Sequence, residues 1–450
     1  MHRTMLQWLW AAALALVGLG QAIAGIPIEH WRHASGADIY LVHSPALPMV
    51  DVQIDFDAGD RRDPAHQAGL AGVTTGMMSK GLRAAAAPAA GAYAGALDEN
   101  ALGEAWADLG ASFGASAGRD RMSFTLRTLS FPDLLSRAAQ LAGRQLADPA
   151  FPAQVWTRER QRLGAALREA NTRPATVAQR NYQAAVYGTH PYGHEMTEAS
   201  LARIEVTDMQ ALHARALQPC RAKLSVVGAL QRAQADALAT QLLSGLTAGP
   251  CGRLPTVPEV PALAQAQQKN IPFDSAQAHV LIGQPGFKRD DPDFFALLVG
   301  NYTLGGGGFV SRLSTEVREK RGLSYSVYSY FSPGLHAGAW TLGLQTRPDQ
   351  AAQAVQVARE VVRRFVAEGP SEAELQAAKD NLMGGFALRL DSNRKLLDNV
   401  ANIAWHGLPL NYLDTWTEQV ARVSVADVRA AIARKLQPDR MVTVVVGGQP

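Results

Sequence analysis

"VTDMQALHARALQPCR" (Val206–Arg221) and "VADVRAAIARKLQPDR" (Val425–Arg440) are the same passage written twice. They align without a gap at a constant offset of 219 (436 − 217), and about half of their positions are identical. Each runs on into Val-Val-Gly, at Val226–Gly228 and at Val445–Gly447. A second pair of segments repeats in the same order. Val52-Gln53-Ile54, followed by Arg61-Arg62-Asp63-Pro64 and Gly72, matches Val280-Leu281-Ile282, followed by Arg289-Asp290-Asp291-Pro292 and Gly300, at an offset of 228 (280 − 52). The chain is therefore two copies of one unit of roughly 200 residues.

Working outward, each copy carries strand, helix, strands, long helices and a final strand. Met122–Leu129 alternates like a half-buried strand, with helices expected over Phe131–Leu146 and Pro152–Ala170. Ser371-Glu-Ala-Glu374 is a capping box that opens a helix. Such alternation predicts an α+β fold, with helices packed on a mostly antiparallel sheet in each of two sandwich halves. Pro250, Pro255, Pro258 and Pro261 lie between the copies; each fixes its backbone φ and lacks a donor, so an extended linker is expected. The expected boundaries are residues 25–246, a linker at 247–271 and residues 272–450, with the halves facing each other. Ala84–Ala96, nearly all Ala, Gly and Pro, reads as a loop insertion.

The chain has 450 residues, of which 47% are apolar and 18% charged, with a net charge of +3. That balance suits a well-buried globular protein rather than disorder. The absence of a dense basic stripe with interleaved aromatics argues against nucleic acid as a partner. Arg3, the apolar run Met5–Leu19 and the small-x-small Ala22-Ile23-Ala24 have the layout of a secretory leader, so residues 1–24 are expected to be removed on export. Gly18, Gly20 and Gln21 weaken the alternative of an uncleaved anchor, and no later segment is apolar for long enough to cross a bilayer. Cys220 precedes a strand, and Cys251 follows the helix that returns along it. That geometry permits a disulfide in an oxidising compartment; two buried thiols are the alternative.

The chemistry is notable for what the motifs lack. There is no His-x-x-Glu-His, His-Glu-x-x-His, Gly-x-Ser-x-Gly or Cys-x-x-Cys. His190-Pro191-Tyr192-Gly193-His194 reads as a turn, because Pro and Gly break the helix that would place two imidazoles on one face. Gly305, Gly306, Gly307 and Gly308 precede a helix but lack the Gly-Lys-Ser/Thr of a phosphate cradle, so they are expected to permit a close backbone approach. "SRLSTEVREKRGLSYSVYSYF" (Ser311–Phe331) reads as a helix stopped at Gly322 and then a strand running from Tyr325. This brings Arg318 near Tyr325, a guanidinium fork beside a hydroxyl. On the residues alone, a surface arginine next to an ordinary strand tyrosine is the plainer reading.

The duplicated unit, the linker, "HPYG" at His190–Gly193 and "GGGG…SRL…EVREKRGLSYSVYSYF" together resemble the insulinase/pitrilysin-type zinc peptidases, or inverzincins, in their short bacterial form. The resemblance implies a clamshell of two homologous halves. It also implies that Arg318 and Tyr325 hold substrate, with Gly305–Gly308 beside the groove. The zinc motif of that family would fall at Gly72, Val73, Thr74, Thr75 and Gly76, and its distal ligand at Ala166. Neither glycine nor alanine has a donor for a metal, so no metal and no hydrolysis by the lone chain are expected. The resemblance then implies a zinc-less subunit of an exported, periplasmic hetero-oligomer, in which a paralogous partner brings zinc and this chain binds peptide. The alternative is a stand-alone peptide-binding or scaffolding protein.

Overall fold

The computed structural model describes residues 25–85, 93–249 and 251–447; the expected leader, residues 1–24, and residues 86–92 of the Ala84–Ala96 insertion lie outside these. The first half holds β1 (Glu29–Arg32), β2 (Asp38–His43), β3 (Met49–Phe56), β4 (Ser112–Ala117), β5 (Met122–Leu129) and β6 (Lys223–Gly228). They form one sheet in the order β1-β2-β6-β3-β5-β4. The second half holds β7 (Gln267–Ile271), β8 (Ala278–Phe287), β9 (Val327–Phe331), β10 (Gly338–Thr346) and β11 (Val442–Val446), in the order β7-β11-β8-β10-β9. Without β1 the two orders coincide. In both sheets one parallel pair, β2 with β6 and β7 with β11, joins an otherwise antiparallel set.

The repeat holds to the residue in the ladders. Val52 lies opposite Val226 and Leu126, while Val280 lies opposite Val445 and Leu344. One ladder position thus satisfies both sequence offsets. The correspondence of Gly72 with Gly300 does not survive. The first half inserts the turn Ala65–Gln67 before its helix Leu70–Met77, whereas the second begins its helix at Phe294, two residues after Pro292. Gly300 is consequently buried against Val428, and Gly72 faces open space.

The region expected to be linker has no regular structure over residues 251–266. Its last five residues, Gln267–Ile271, instead form β7, because the free edge of β11 offers a parallel ladder that extended backbone can join. Cys220 and Cys251 are disulfide-bonded with their Cα atoms 6.3 Å apart, tying the start of the linker to the foot of β6. No helix among the described residues is long and apolar enough to cross a membrane.

Each sheet packs one face on its own half's helices and gives the other face to a helix from the opposite half. In β3, Val50, Val52, Ile54 and Phe56 enter the first core. The far face of that sheet, with Tyr40, Val42 and Val227, receives Leu396, Leu397, Val400 and Ile403 of the second half's helix Asn393–His406. Conversely, helix Pro174–Tyr187 of the first half lays Ala178, Tyr182 and Val186 on Val442, Val444, Val446 and Leu281. The Tyr182 hydroxyl bonds Trp340 O and Thr341 Oγ1, each at 2.9 Å. Gly283 makes room for it, since a Cβ there would lie 2.1 Å from that oxygen.

Polar groups lock this exchange. Lys223 Nζ donates to Ala404 O at 2.7 Å, capping the C-terminus of the incoming helix, and Arg121 joins Asp55 to the same helix at Ala401 O. The "HPYG" segment is the turn expected of it. His190 Nδ1 accepts from Tyr192 N, its Nε2 donates to Pro258 O of the linker, and Tyr192 Oη donates to Asp120 while accepting from His336 N. Asp120 also accepts from Leu335 N, so one carboxylate bridges the halves.

His406, at the end of the incoming helix, sits in this interface. Burial, with the positive charge of Arg289 next in weight, lowers its pKa from 6.5 to about 4. As pH falls the unfolded chain takes that proton first, so stability is expected to decline from pH ~6.5 down to pH ~4, by of order 1–3 kcal/mol from this group. Thermal unfolding across this range should have a shallower acid slope in His406→Gln than in wild type; an unchanged slope would remove His406 from the acid sensitivity.

Candidate functional site

Helix Leu70–Met77 starts at Gly69, whose φ of 97° suits only glycine comfortably, and the Asp63 carboxylate caps it by accepting from Gly69 N and Ala71 N at 3.0 and 3.1 Å. Leu70, Val73 and Met77 anchor one side in the core. Gly72 and Gly76 lie on the opposite, exposed side, and a Cβ built on either would meet nothing within 4 Å. Thr75 is buried with its hydroxyl turned into its own helix, donating toward Ala71 O and Gly72 O. Ala166, in helix Ala153–Ala170, is exposed. The zinc set that the resemblance implies does not fit these residues. Two positions have no side chain, one offers a methyl, and the Thr75 hydroxyl is engaged with backbone.

A pocket of about 310 Å³ opens beside Gly72, lined among others by Asp60, Ala117, Arg180, His194 and Glu195. Burial raises the pKa of Asp60 and of Glu195, against the positive charge of Arg119 and Arg180 respectively. His194 Nδ1 is buried with no hydrogen-bond partner among the described residues.

The segment that carries Arg318 differs from the sequence expectation in two respects. Ser314–Glu319 is a wide π-type helical turn rather than an α-helix, closed at Gly322 with φ of 60°. Tyr325 stands before the strand, since β9 begins only at Val327. Ser324 causes the delay: its hydroxyl reaches Ser326 O and Gln345 O and bends the chain ahead of the ladder. Arg318 and Tyr325 still meet, with the guanidinium carbon 5.1 Å from the Tyr325 ring centroid.

A third residue completes the group. Phe309 also lies against Arg318, its ring centroid 4.2 Å from the guanidinium carbon. Tyr325 is 84% exposed and Phe309 67%. Neighbouring cations are engaged by acids: Arg312 with Glu374, and Lys320 and Arg321 with Glu316. Arg318 has no acidic partner and no side-chain hydrogen bond among the described residues, so its N–H fork is held only by aromatic faces and stays free to donate. Sequence reading missed Phe309; its one signal was its place directly after the four glycines. Those glycines do allow close approach. A Cβ on Gly305 would lie 2.4 Å from Ser329 Oγ, and Gly308 takes a φ of 62°.

Comparison with known proteins shows the family. A family model described as the peptidase M16 inactive domain matches residues 203–382, which include Gly305–Gly308, Arg318 and Tyr325. The crystal structure of a peptidase M16 inactive domain from Pseudomonas fluorescens superposes with a TM-score of 0.86 at 32% identity, covering 94% of this chain and 98% of that one. The chain belongs to the M16 peptidase family. It is 25% identical over 390 residues to a protein of Helicobacter pylori described as the non-peptidase homolog YmxG, covering 85% of each chain. An uncharacterized zinc protease of Mycobacterium leprae is 30% identical over 277 residues, 59% of this chain and 60% of that protein.

The exposed glycines of this helix and the buried Gly305 allow a direct test of what each position contributes to stability. Gly72→Ala and Gly76→Ala should each raise stability by about 0.5–1 kcal/mol through helix propensity alone. Gly305→Ala should lower it, because its methyl would collide with β9. Differential scanning calorimetry of the three variants reads both signs.

Proposed function

We propose that this chain is the zinc-less subunit of an exported, periplasmic, hetero-oligomeric zinc peptidase. It binds an extended peptide and orients the scissile carbonyl through Arg318 and Tyr325, while a zinc-bearing paralogous subunit supplies metal, water and base. The observation that carries the reading is the free guanidinium of Arg318, presented beside the exposed Tyr325 hydroxyl. An arginine fork and a phenol held in place can fix a carbonyl and stabilise charge that develops on its oxygen.

A second feature supports a peptide ligand. β4 is an edge strand reading Ser-Phe-Gly-Ala-Ser-Ala, with no charge, no proline and no break in its register with β5. Edges left in this state are templates for another strand, and main-chain pairing accepts many sequences. The corresponding edge of the second sheet is treated differently, because Asn301 Nδ2 donates to Ser329 O and Gly305 packs against β9. Helix Leu70–Met77, with the cleared positions Gly72 and Gly76, lies against β4. The disulfide and the apolar leader are the features that favour export.

The test is co-purification with a zinc-bearing paralogue from the same genome and measurement of β-casein cleavage. Arg318→Ala in the assembled complex is expected to lower kcat/KM by about 10- to 100-fold without changing zinc content. Equal turnover by wild type and variant would exclude the orienting role. Tight peptide binding by a chain that never recruits a zinc-bearing partner would assign the stand-alone binding role instead.

A further inference from the structure

We infer that Phe309 is the positioning residue of this half-site: it clamps the Arg318 guanidinium against Tyr325 so that every N–H donor stays available to the peptide. The inference rests on the reading above that Arg318 contacts peptide, and it assigns Phe309 a role of its own.

An arginine on an open surface samples many rotamers, and fixing it on a ligand costs side-chain entropy. The usual way to fix it beforehand is a carboxylate, as Glu374 does for Arg312 with contacts at 2.7 Å. That solution occupies the donors a peptide carbonyl would need. Two aromatic faces hold a cation through ring electrostatics without accepting any conventional hydrogen bond from it. Phe309 at 4.2 Å and Tyr325 at 5.1 Å supply those faces.

The backbone is arranged to deliver Phe309 there. Gly305 tucks under Ser329, Gly307 passes so close to Tyr302 that a Cβ would lie 2.8 Å from its ring, and Gly308 turns the chain through positive φ. The Gly308–Val310 turn then leaves the Phe309 ring two-thirds exposed, where it contributes little to either core. An apolar ring held outside the core, with a cation beneath it, is accounted for by that cation.

The experiment uses the full chain, with wild type, Phe309→Ala, Phe309→Tyr, Arg318→Ala and the Phe309→Ala/Arg318→Ala double variant. The Arg318 side-chain Nε–Hε signal is read by NMR, and the affinity for fluorescein-labelled β-casein by anisotropy. In wild type and Phe309→Tyr the Arg318 signal should be shifted upfield by the rings, and in Phe309→Ala it should move to the position of a free arginine. Affinity should fall about three- to tenfold in Phe309→Ala, recover in Phe309→Tyr, and fall no further when Phe309→Ala is added to Arg318→Ala. An Arg318 signal unmoved by Phe309→Ala overturns the clamp. Additive losses overturn it too, making Phe309 a peptide contact in its own right. If Arg318→Ala leaves β-casein affinity unchanged, the peptide-binding reading falls, while the NMR comparison still decides whether Phe309 fixes Arg318.

Discussion

The exchange of helices between the halves is the constraint on which the rest of the structure depends. A sheet with helices on one face only must either solvate its other face or cover it. Here helix Asn393–His406 covers the first sheet and helix Pro174–Tyr187 the second, so neither half has a complete set of buried faces alone. The duplicated units behave as one body rather than two beads on a linker. The polar contacts follow this geometry: Lys223 caps a helix that belongs to the other half, and Asp120 collects donors from both. The linker is drawn in as well, through His190 to Pro258 O and Arg62 to Pro255 O.

That rigidity explains how the fold holds with glycine at Gly72 and Gly76. Side chains that bind a metal project into a groove and contribute little to the core beneath them. At Gly72 and Gly76 the exposed side of the helix is bare backbone, while Leu70, Val73 and Met77 are packed in the core and Asp63 caps the first turn. Removing buried groups would have left cavities costing several kcal/mol. Removing exposed ones leaves only the weaker helix propensity of glycine. What side chain stands at these two exposed positions is thus of small consequence to the core.

Much of this was legible in the sequence because duplication is a strong signal. Two offsets predicted two like sheets, and the ladders place Val52 and Val280 in equivalent positions. The helix exchange was not legible. In Val50-Asp51-Val52-Gln53-Ile54-Asp55-Phe56 the alternation reads as one buried and one wet face, whereas Asp51, Gln53 and Asp55 are all buried: Asp51 pairs with Arg127, and Asp55 accepts from Gln53, Ser123 and Arg121. Periodicity reports polarity, and a satisfied buried network has the same polarity as a solvated face. The delayed start of β9 turned on one serine hydroxyl, and the wide turn at Ser314–Glu319 has no pattern of its own. The nearness of Arg318 and Tyr325 was legible in the helix-then-strand order; a substrate-holding role for them came only from family resemblance, since the residues alone favoured a surface arginine.

The charges around Arg318 explain why a free guanidinium can be kept there. Glu316 engages Lys320 and Arg321 and lies 3.6 Å from Arg364, and hydrogen bonds from Lys320 and Arg321 hold its pKa down to about 2. Glu374, held equally low first by Arg312, also caps the helix that opens at Ser371. These two carboxylates are therefore committed elsewhere, one by three cations and the other by a fork and a helix end. Neither is free to swing over and neutralise Arg318, and the aromatic rings beside it have no negative charge to offer. Glu319, next to Arg318 in the chain, makes no ion pair with it among the described residues, so the guanidinium is left with the aromatic faces of Phe309 and Tyr325.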